Sequence, residues 1–464
     1  MSSGSCSPSS GSNQKPQKSS KKGELKWWQL SLVGVGCTIG TGYFLGSSIG
    51  IKITGPSIVF SFILASLGTY VVFNLLAKMT AKDPQEGSFS YYAKKAFGHW
   101  AGFSSGWNYW CSNILIMGSQ LTALSILSKF WFRDIPLWIF AAVYAILAIL
   151  VVLTGTKGFD KIEDILAIIK FSAILMFIIL ALAAMFGWID GDNNPVGVPG
   201  SFDEFFPEGF SGFWSSLIYA FYAYGGIEVI GIMSLELKKK EDAPKAGKVM
   251  LSGLTFVYVL SLILVVTMVS HTVITDGESP FVTALSNYNL AFFPHVFNGA
   301  IIIAGFSTMT AALYGVTNLL VTLADDNDAP SLFARKLKFK QLPLPSLGLA
   351  TIGLLASIIT AMLLPGKIYE YITTAAGILL LYNWLVIIIS SMKILKLNLL
   401  NKIYAFVGIF LVGAAISGTL FEKEIRPGFF VSLLFVTIIL LVAFLIRKRW
   451  RKQDNEDGNA IRYY

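Results

Sequence analysis

Three places in the apolar part of this chain carry residues suited to chemistry. Residues 36–42 read Gly-Cys-Thr-Ile-Gly-Thr-Gly, with three glycines and two threonines inside an apolar run. Residues 222–228 read Tyr-Ala-Tyr-Gly-Gly-Ile-Glu, two adjacent glycines beside an acid. Lys170 is the one basic residue deep within an apolar segment. Glycine interrupts a helix, and backbone groups freed in hydrocarbon must find other partners. An unwound turn at residues 36–42 would expose N–H groups at the start of the next half-helix, from about Thr41 to Phe44. A helix N-terminus is electropositive and suits a carboxylate. The carbonyls freed at the ends of the two interrupted helices suit an ammonium group. A zwitterion with both groups on one carbon, an α-amino acid, fits such a site better than a sugar or a simple ion.

Each feature also has a plainer reading. Small residues let helices pack closely, so the glycines need not mark breaks. An intramembrane lysine is a functional-site hypothesis by default, because burial favours the neutral amine and brings it into range for proton exchange. It can also snorkel to the interface. Glu228, just after the second glycine pair, either carries a proton or accepts from unwound N–H groups. On the third apolar segment Asn113 and Gln120 are seven apart and share a helix face, with Asn108 nearby. They line a cavity or make polar contacts between helices.

The elements that must position these residues follow from length and charge. The chain has 464 residues, 54% hydrophobic and 14% charged, against roughly 25% charged for a soluble domain. It reads as an all-α membrane protein. A hydrocarbon core of roughly 30 Å needs about 20 apolar residues as helix. On that ruler about twelve spans fall near 27–52, 57–79, 99–128, 136–155, 162–187, 212–236, 247–271, 297–323, 347–364, 368–392, 401–420 and 428–446. Of the 36 Lys and Arg, 29 lie in the two terminal segments and in alternate loops. Six (Lys52, Lys129, Arg133, Lys367, Lys423, Arg426) lie on the other side, and Lys170 lies within a span. The positive-inside rule then puts both termini in the cytoplasm of a cell membrane. The net charge of +9 is therefore topology and lipid contact rather than nucleic-acid binding. Residues 1–25 read as a disordered cytoplasmic tail, 26–396 as the core, 397–447 as two peripheral helices and 448–464 as a second cytoplasmic tail.

The two interruptions fall in spans one and six, which run in opposite senses. That is the relation an inverted five-plus-five repeat requires, and paired interruptions point to a transporter's binding site. The loop 80–97 is amphipathic and reads as an interfacial or partly re-entrant helix. The loop 324–346, with Asp325, Asp326 and Asp328, reads as a solvated cap. Cys6, Cys37 and Cys111 form no disulfide framework, and His99, His271 and His295 are too scattered for a metal site. No cofactor is implied. No nucleotide phosphate loop is present, which argues against an ATP-driven pump and against an enzyme.

Four stretches together resemble the amino acid–polyamine–organocation superfamily, and within it bacterial amino acid permeases. They are residues 36–47 with Gly55-Pro56-Ser57; Pro84, Gly87 to Tyr91, Gly102-Phe103 and Gly106 to Trp110; Tyr222 to Glu228; and Ser307 to Tyr314. The resemblance runs from about Lys26 to Lys393. It implies a LeuT-like fold, spans one to five and six to ten forming the inverted repeat and the last two spans peripheral. It puts the substrate carboxylate on Thr38, Thr41 and Gly42, around Gly40, and the amino group on carbonyls near Ile39 and along Tyr222, Ala223 and Tyr224. Tyr222 aligns with an aromatic gate, and Gly225 and Gly226 leave space for the substrate side chain. In proton-coupled relatives a lysine at the place of Lys170 occupies the sodium position. The chain departs from the family at Thr310-Ala311, where Asn-Ser is frequent, and at Asn318, where Arg is frequent.

The expected function is secondary transport of amino acids by proton symport. Neutral substrates are expected because the site shows no clear charge beyond Glu228 and Lys170. The alternatives are an exchanger, a sodium symporter using the hydroxyls of Ser307, Thr308 and Thr310, and a membrane sensor that binds without net transport. The lysine charge would repel sodium.

Overall fold

The computed structural model describes residues 26–85, 88–191, 196–228, 237–336, 342–363 and 368–460. The proposed tail at 1–25 lies outside them. Inner and outer below follow the charge-based orientation.

The first span is broken as expected. An inner half-helix, Trp27–Thr38, is followed by two outer pieces, Thr41–Phe44 and Gly46–Thr54. Gly55-Pro56-Ser57 then reverses the chain into the second span, Ile58–Lys82. Gly55 has φ +68°, a backbone that only glycine adopts without strain, and Pro56 pre-sets the turn that follows. The third to fifth spans are His99–Ser128, Leu137–Leu153 and Thr156–Met185. The sixth begins as Gly209–Tyr222, and its residues 229–236 lie outside those described. The seventh to twelfth are Ala243–Met268, Phe293–Asp325, Leu344–Leu363, Ile368–Ile394, Leu399–Gly418 and Arg426–Ala460. The last helix thus runs on past the expected end of its span near residue 446.

The halves meet as an inverted repeat requires. Span one packs against span six, span two against seven and span three against eight. Spans three and ten share the most extensive face, and spans eleven and twelve lie outside this core against two, six and ten, and against three and ten. Among the eight long apolar helices of the described residues, span twelve is the least buried. Close approach sets several faces. A Cβ at Gly247 would sit 1.8 Å from Cε1 of Phe73, so spans seven and two touch through a bare backbone. Gly247→Ala should therefore cost about 1–3 kcal/mol of overpacking, read as a lower unfolding temperature in detergent.

The amphipathic loop contains a helix, Ser88–Phe97, that lies against spans three and ten. Phe89, Tyr92 and Ala93 are its buried face. Asp83, which precedes it, is clamped by Lys95, Gln85 and Tyr91, and the Lys95 ammonium holds its carboxyl below the usual carboxylate range.

The acidic turn after span eight is solvated at Asp325 and Asp326, as read from sequence, but not at Asp328. Asp328 is only 6% exposed. Its carbonyl accepts from Trp107 Nε1 at 3.0 Å, and burial pushes its carboxyl up to about 6. The sequence reading missed the burial of Asp328 because the covering tryptophans, Trp107 and Trp450, come from spans three and twelve.

Candidate functional site

The inner half-helix of span one ends at Thr38, and Ile39 leaves helical geometry with ψ 112°. Gly40 is extended (φ −152°, ψ −167°) and starts the outer half. In an unbroken helix the Gly36 carbonyl would accept from Gly40 four residues on. Here it accepts from Lys170 Nζ at 2.7 Å. Lys170 lies 14 residues into span five, about 21 Å along the axis. It is 1% exposed, so its ammonium points at the break and not at the interface. The C-terminal end of the inner half-helix is electronegative, which suits a cation there.

On the other side of the break the outer half begins with Thr41 and Gly42. The first N–H groups of a helix have no partner within it. Thr41 Oγ1 is buried without a hydrogen-bond partner, while Tyr369 on span ten donates to the Thr41 carbonyl at 3.3 Å. Thr38 Oγ1 is occupied within its own helix, donating to Gly34. No Cβ fits at either glycine. At Gly40 it would lie 2.9 Å from Thr308 Oγ1 of span eight, and at Gly42, 2.8 Å from Cε1 of Tyr222. Thr308 in turn donates to Gln120 of span three.

The second break directly faces the first. Span six stops at Tyr222, residues 223–226 form tight turns, and Gly226 has φ +102°. The Tyr222 ring lies over Gly42, its hydroxyl bonded to Ser119 at 2.8 Å. The carbonyl of Tyr222 accepts from Gly225 N–H, and that of Ala223 from Tyr258 Oη at 3.2 Å. Each carbonyl keeps a second lone pair. Tyr258 stacks flat on Tyr43, centroids 3.7 Å apart, and Tyr43 is bonded to Ser261. The two breaks are thus referenced to each other through this stack of a span-one ring on a span-seven ring. Gly42, Gly225 and Gly226 stay partly accessible in an otherwise closed wall.

Against this geometry stand the comparisons with known proteins. The family model described as amino acid permease matches residues 29–456. The chain belongs to the amino acid permease family. The permease is 52% identical to an uncharacterized transporter of Bacillus subtilis, YcgH, over 96% of this chain and 99% of that one. It is 30% identical to the aromatic amino acid transport protein AroP of Corynebacterium glutamicum, over 89% and 95%. It is 28% identical to the gamma-aminobutyric acid permease of Bacillus subtilis, over 96% and 97%. Among solved structures, a manganese transporter of Eremococcus coleocola superposes with a TM-score of 0.59 at 14% identity, covering 91% of the permease and 94% of that chain. That likeness concerns the fold alone, the LeuT-like inverted repeat.

The remaining residues singled out from the sequence divide. Tyr224 turns its side chain away from the breaks, toward the Phe62 carbonyl at 3.3 Å and Thr255 at 3.4 Å, leaving only its backbone at the break. Asn113 donates to the Tyr109 carbonyl of its own helix. Glu228 is buried, accepts from Tyr109 Oη at 3.1 Å, and receives the Gly226 N–H at 3.3 Å. It therefore ties up an N–H freed by the turn. At the two departures from the family, Thr310 and Asn318 spend their side chains on Phe306 and Tyr314 of their own helix.

Ser119 and Tyr369 were missed from sequence. A serine or tyrosine in a span carries no sign of the partner it will meet. Tyr222→Phe would leave Ser119 without its partner while keeping the ring over Gly42. The expected cost is about 1 kcal/mol, read as a roughly fivefold higher KM for uptake with the maximal rate retained.

Proposed function

We propose that the permease is a secondary transporter that carries neutral amino acids across the cell membrane together with protons, with both termini cytoplasmic. The observation that carries this reading is the Lys170 ammonium on the Gly36 carbonyl, at the edge of the span-one break. The substrate carboxylate sits on the start of the outer half, at Thr41 and Gly42, where an unpartnered hydroxyl awaits a polar group. Its ammonium group sits on the carbonyls of Ile39 and Tyr222, and its side chain lies toward Gly225 and Gly226. Lys170 takes the coupling proton and caps the inner half-helix while charged. On losing the proton it weakens that cap and loosens the inner side of span one. Glu228 keeps the span-six turn in shape. Aromatic amino acids and gamma-aminobutyric acid, for which two of the relatives are named, are zwitterions without net charge, which agrees with a neutral pocket.

The test is uptake of radiolabelled neutral amino acids into proteoliposomes under an imposed pH gradient. Accumulation that follows the gradient supports symport. Uptake that ignores the gradient but is strongly stimulated by internal amino acid would replace it with exchange. Binding with no turnover would replace it with a sensor.

A further inference from the structure

A cavity of about 460 Å³ opens on the flank of the permease between spans three, ten and twelve. Its walls are Trp100 of span three, Tyr382 and Ile389 of span ten, and Val436 and Leu440 of span twelve, with Phe97 of the amphipathic helix at one end. The surface it offers is almost wholly apolar. The polar side chains behind that surface are turned to protein. Asn108 donates to the Leu379 carbonyl at 2.8 Å, and Ser105 is bonded to the Asn383 amide at 3.2 Å. Ser104 Oγ and Asn108 Oδ1 have no partner, and both atoms are buried beneath the surface. An amino acid, a sugar or an ion would find nothing there to replace its hydration. Trp100, Ile389 and Leu440 are exposed, so the opening faces sideways, toward lipid.

Depth and charge narrow the occupant. Counted along span three from its start at His99, the cavity reaches Asn108, about 14 Å in. One leaflet of a hydrocarbon core of roughly 30 Å is about 15 Å deep. The end at Phe97 carries a cation. Lys393, in the last turn of span ten, holds its ammonium 4.6 Å from the centre of the Phe97 ring. Among the described residues no carboxylate forms an ion pair with it. Lys95, on the same helix as Phe97, is by contrast spent on Asp83.

From this geometry we infer that the cavity holds one acyl chain of an anionic phospholipid, from the leaflet that borders Lys393, with its phosphate on that lysine. The chain fills a gap that the side chains of three helices leave, and so wedges the peripheral span twelve to spans three and ten. The headgroup meets an ammonium that no carboxylate neutralises, and a zwitterionic headgroup answers that charge less well. The site is independent of what the permease carries and of how transport is coupled.

Native mass spectrometry of the full chain tests it. The delipidated permease in detergent is offered equal amounts of phosphatidylglycerol and phosphatidylcholine with identical chains. The first lipid bound should be phosphatidylglycerol, preferred about fivefold, the effect of one lysine near a headgroup. Lys393→Gln should bring the two lipids to parity, with lipid still bound. Lys78→Gln removes a lysine at the same end of the bundle that is bonded to Asn401 of span eleven, and should leave the preference at about fivefold. Val436→Trp places an indole in the cavity and should weaken the first binding event about tenfold for both lipids, by excluding about two methylenes. If that variant fails to fold, Leu440→Trp does the same from one turn further along span twelve. Equal binding of the two lipids by the parent overturns the inference. So does a preference that survives Lys393→Gln or falls as much in Lys78→Gln, a tryptophan variant that binds as the parent does, or a lipid-free dimer in place of the lipid complex.

Discussion

Gly42→Val should abolish uptake while leaving the permease inserted in the membrane. The first β-carbon alone would lie 2.8 and 2.9 Å from Cε1 and Cδ1 of Tyr222. The ring cannot swing aside cheaply, because its hydroxyl is bonded to Ser119 and the residue is only 7% exposed. Overpacking of about 3 kcal/mol at such a point corresponds to roughly a hundredfold loss. Here the loss is expected to fall on function first, because in the proposed transport cycle the two breaks part and meet again. Gly40→Val should act alike, through Thr308 and its bond to Gln120. Uptake and membrane content measured on the same cells check this. Valine at either position with normal uptake would sink the claim that the span-one break is the site.

Lys170→Ala is expected to abolish accumulation against a gradient and to flatten the pH dependence of uptake. Two losses combine. On the proposed mechanism the coupling proton loses its carrier, and the Gly36 carbonyl is left buried without the donor that replaced its helical partner. An unmade hydrogen bond to a charged group costs about 1.5–3 kcal/mol, so downhill exchange should fall by roughly tenfold or more as well. Lys170→Arg separates the effects. It keeps a donor for the carbonyl but cannot release a proton, since arginine stays charged. Exchange partly restored with accumulation still absent is the expected pattern. An alanine variant that still concentrates substrate, with the parental pH profile, would remove Lys170 from coupling.

Much of the fold was legible because the bilayer restricts the answers. Span lengths, the alternation of Lys and Arg, and the paired glycines at 40–42 and 225–226 each follow from the cost of unpaired backbone or charge in hydrocarbon. The position of Lys170 against span one came from family resemblance, and its carbonyl partner was visible only in the structure. What stayed hidden shares one cause. Thr308, Ser119 and Tyr369 reach the breaks from other spans, and which way a helix faces depends on all its neighbours. Tyr224 sits two residues from Tyr222 and points elsewhere, because the turn at residues 223–226 rotates it toward spans two and seven.

The stack of Tyr43 on Tyr258, whose hydroxyl holds the Ala223 carbonyl, also bears on small fragments. On the proposed reading of the site, it keeps the end offered to a carboxylate and the end offered to an ammonium group at a set spacing before any ligand arrives. A short carboxylic acid and a simple amine should then each compete with substrate only weakly. Joined on one carbon, they meet both ends at a high effective concentration, so the whole molecule should bind far more tightly than the product of its halves. A Tyr258→Phe variant, with the ring kept and the hydroxyl lost, should blunt that advantage more than it weakens either fragment alone.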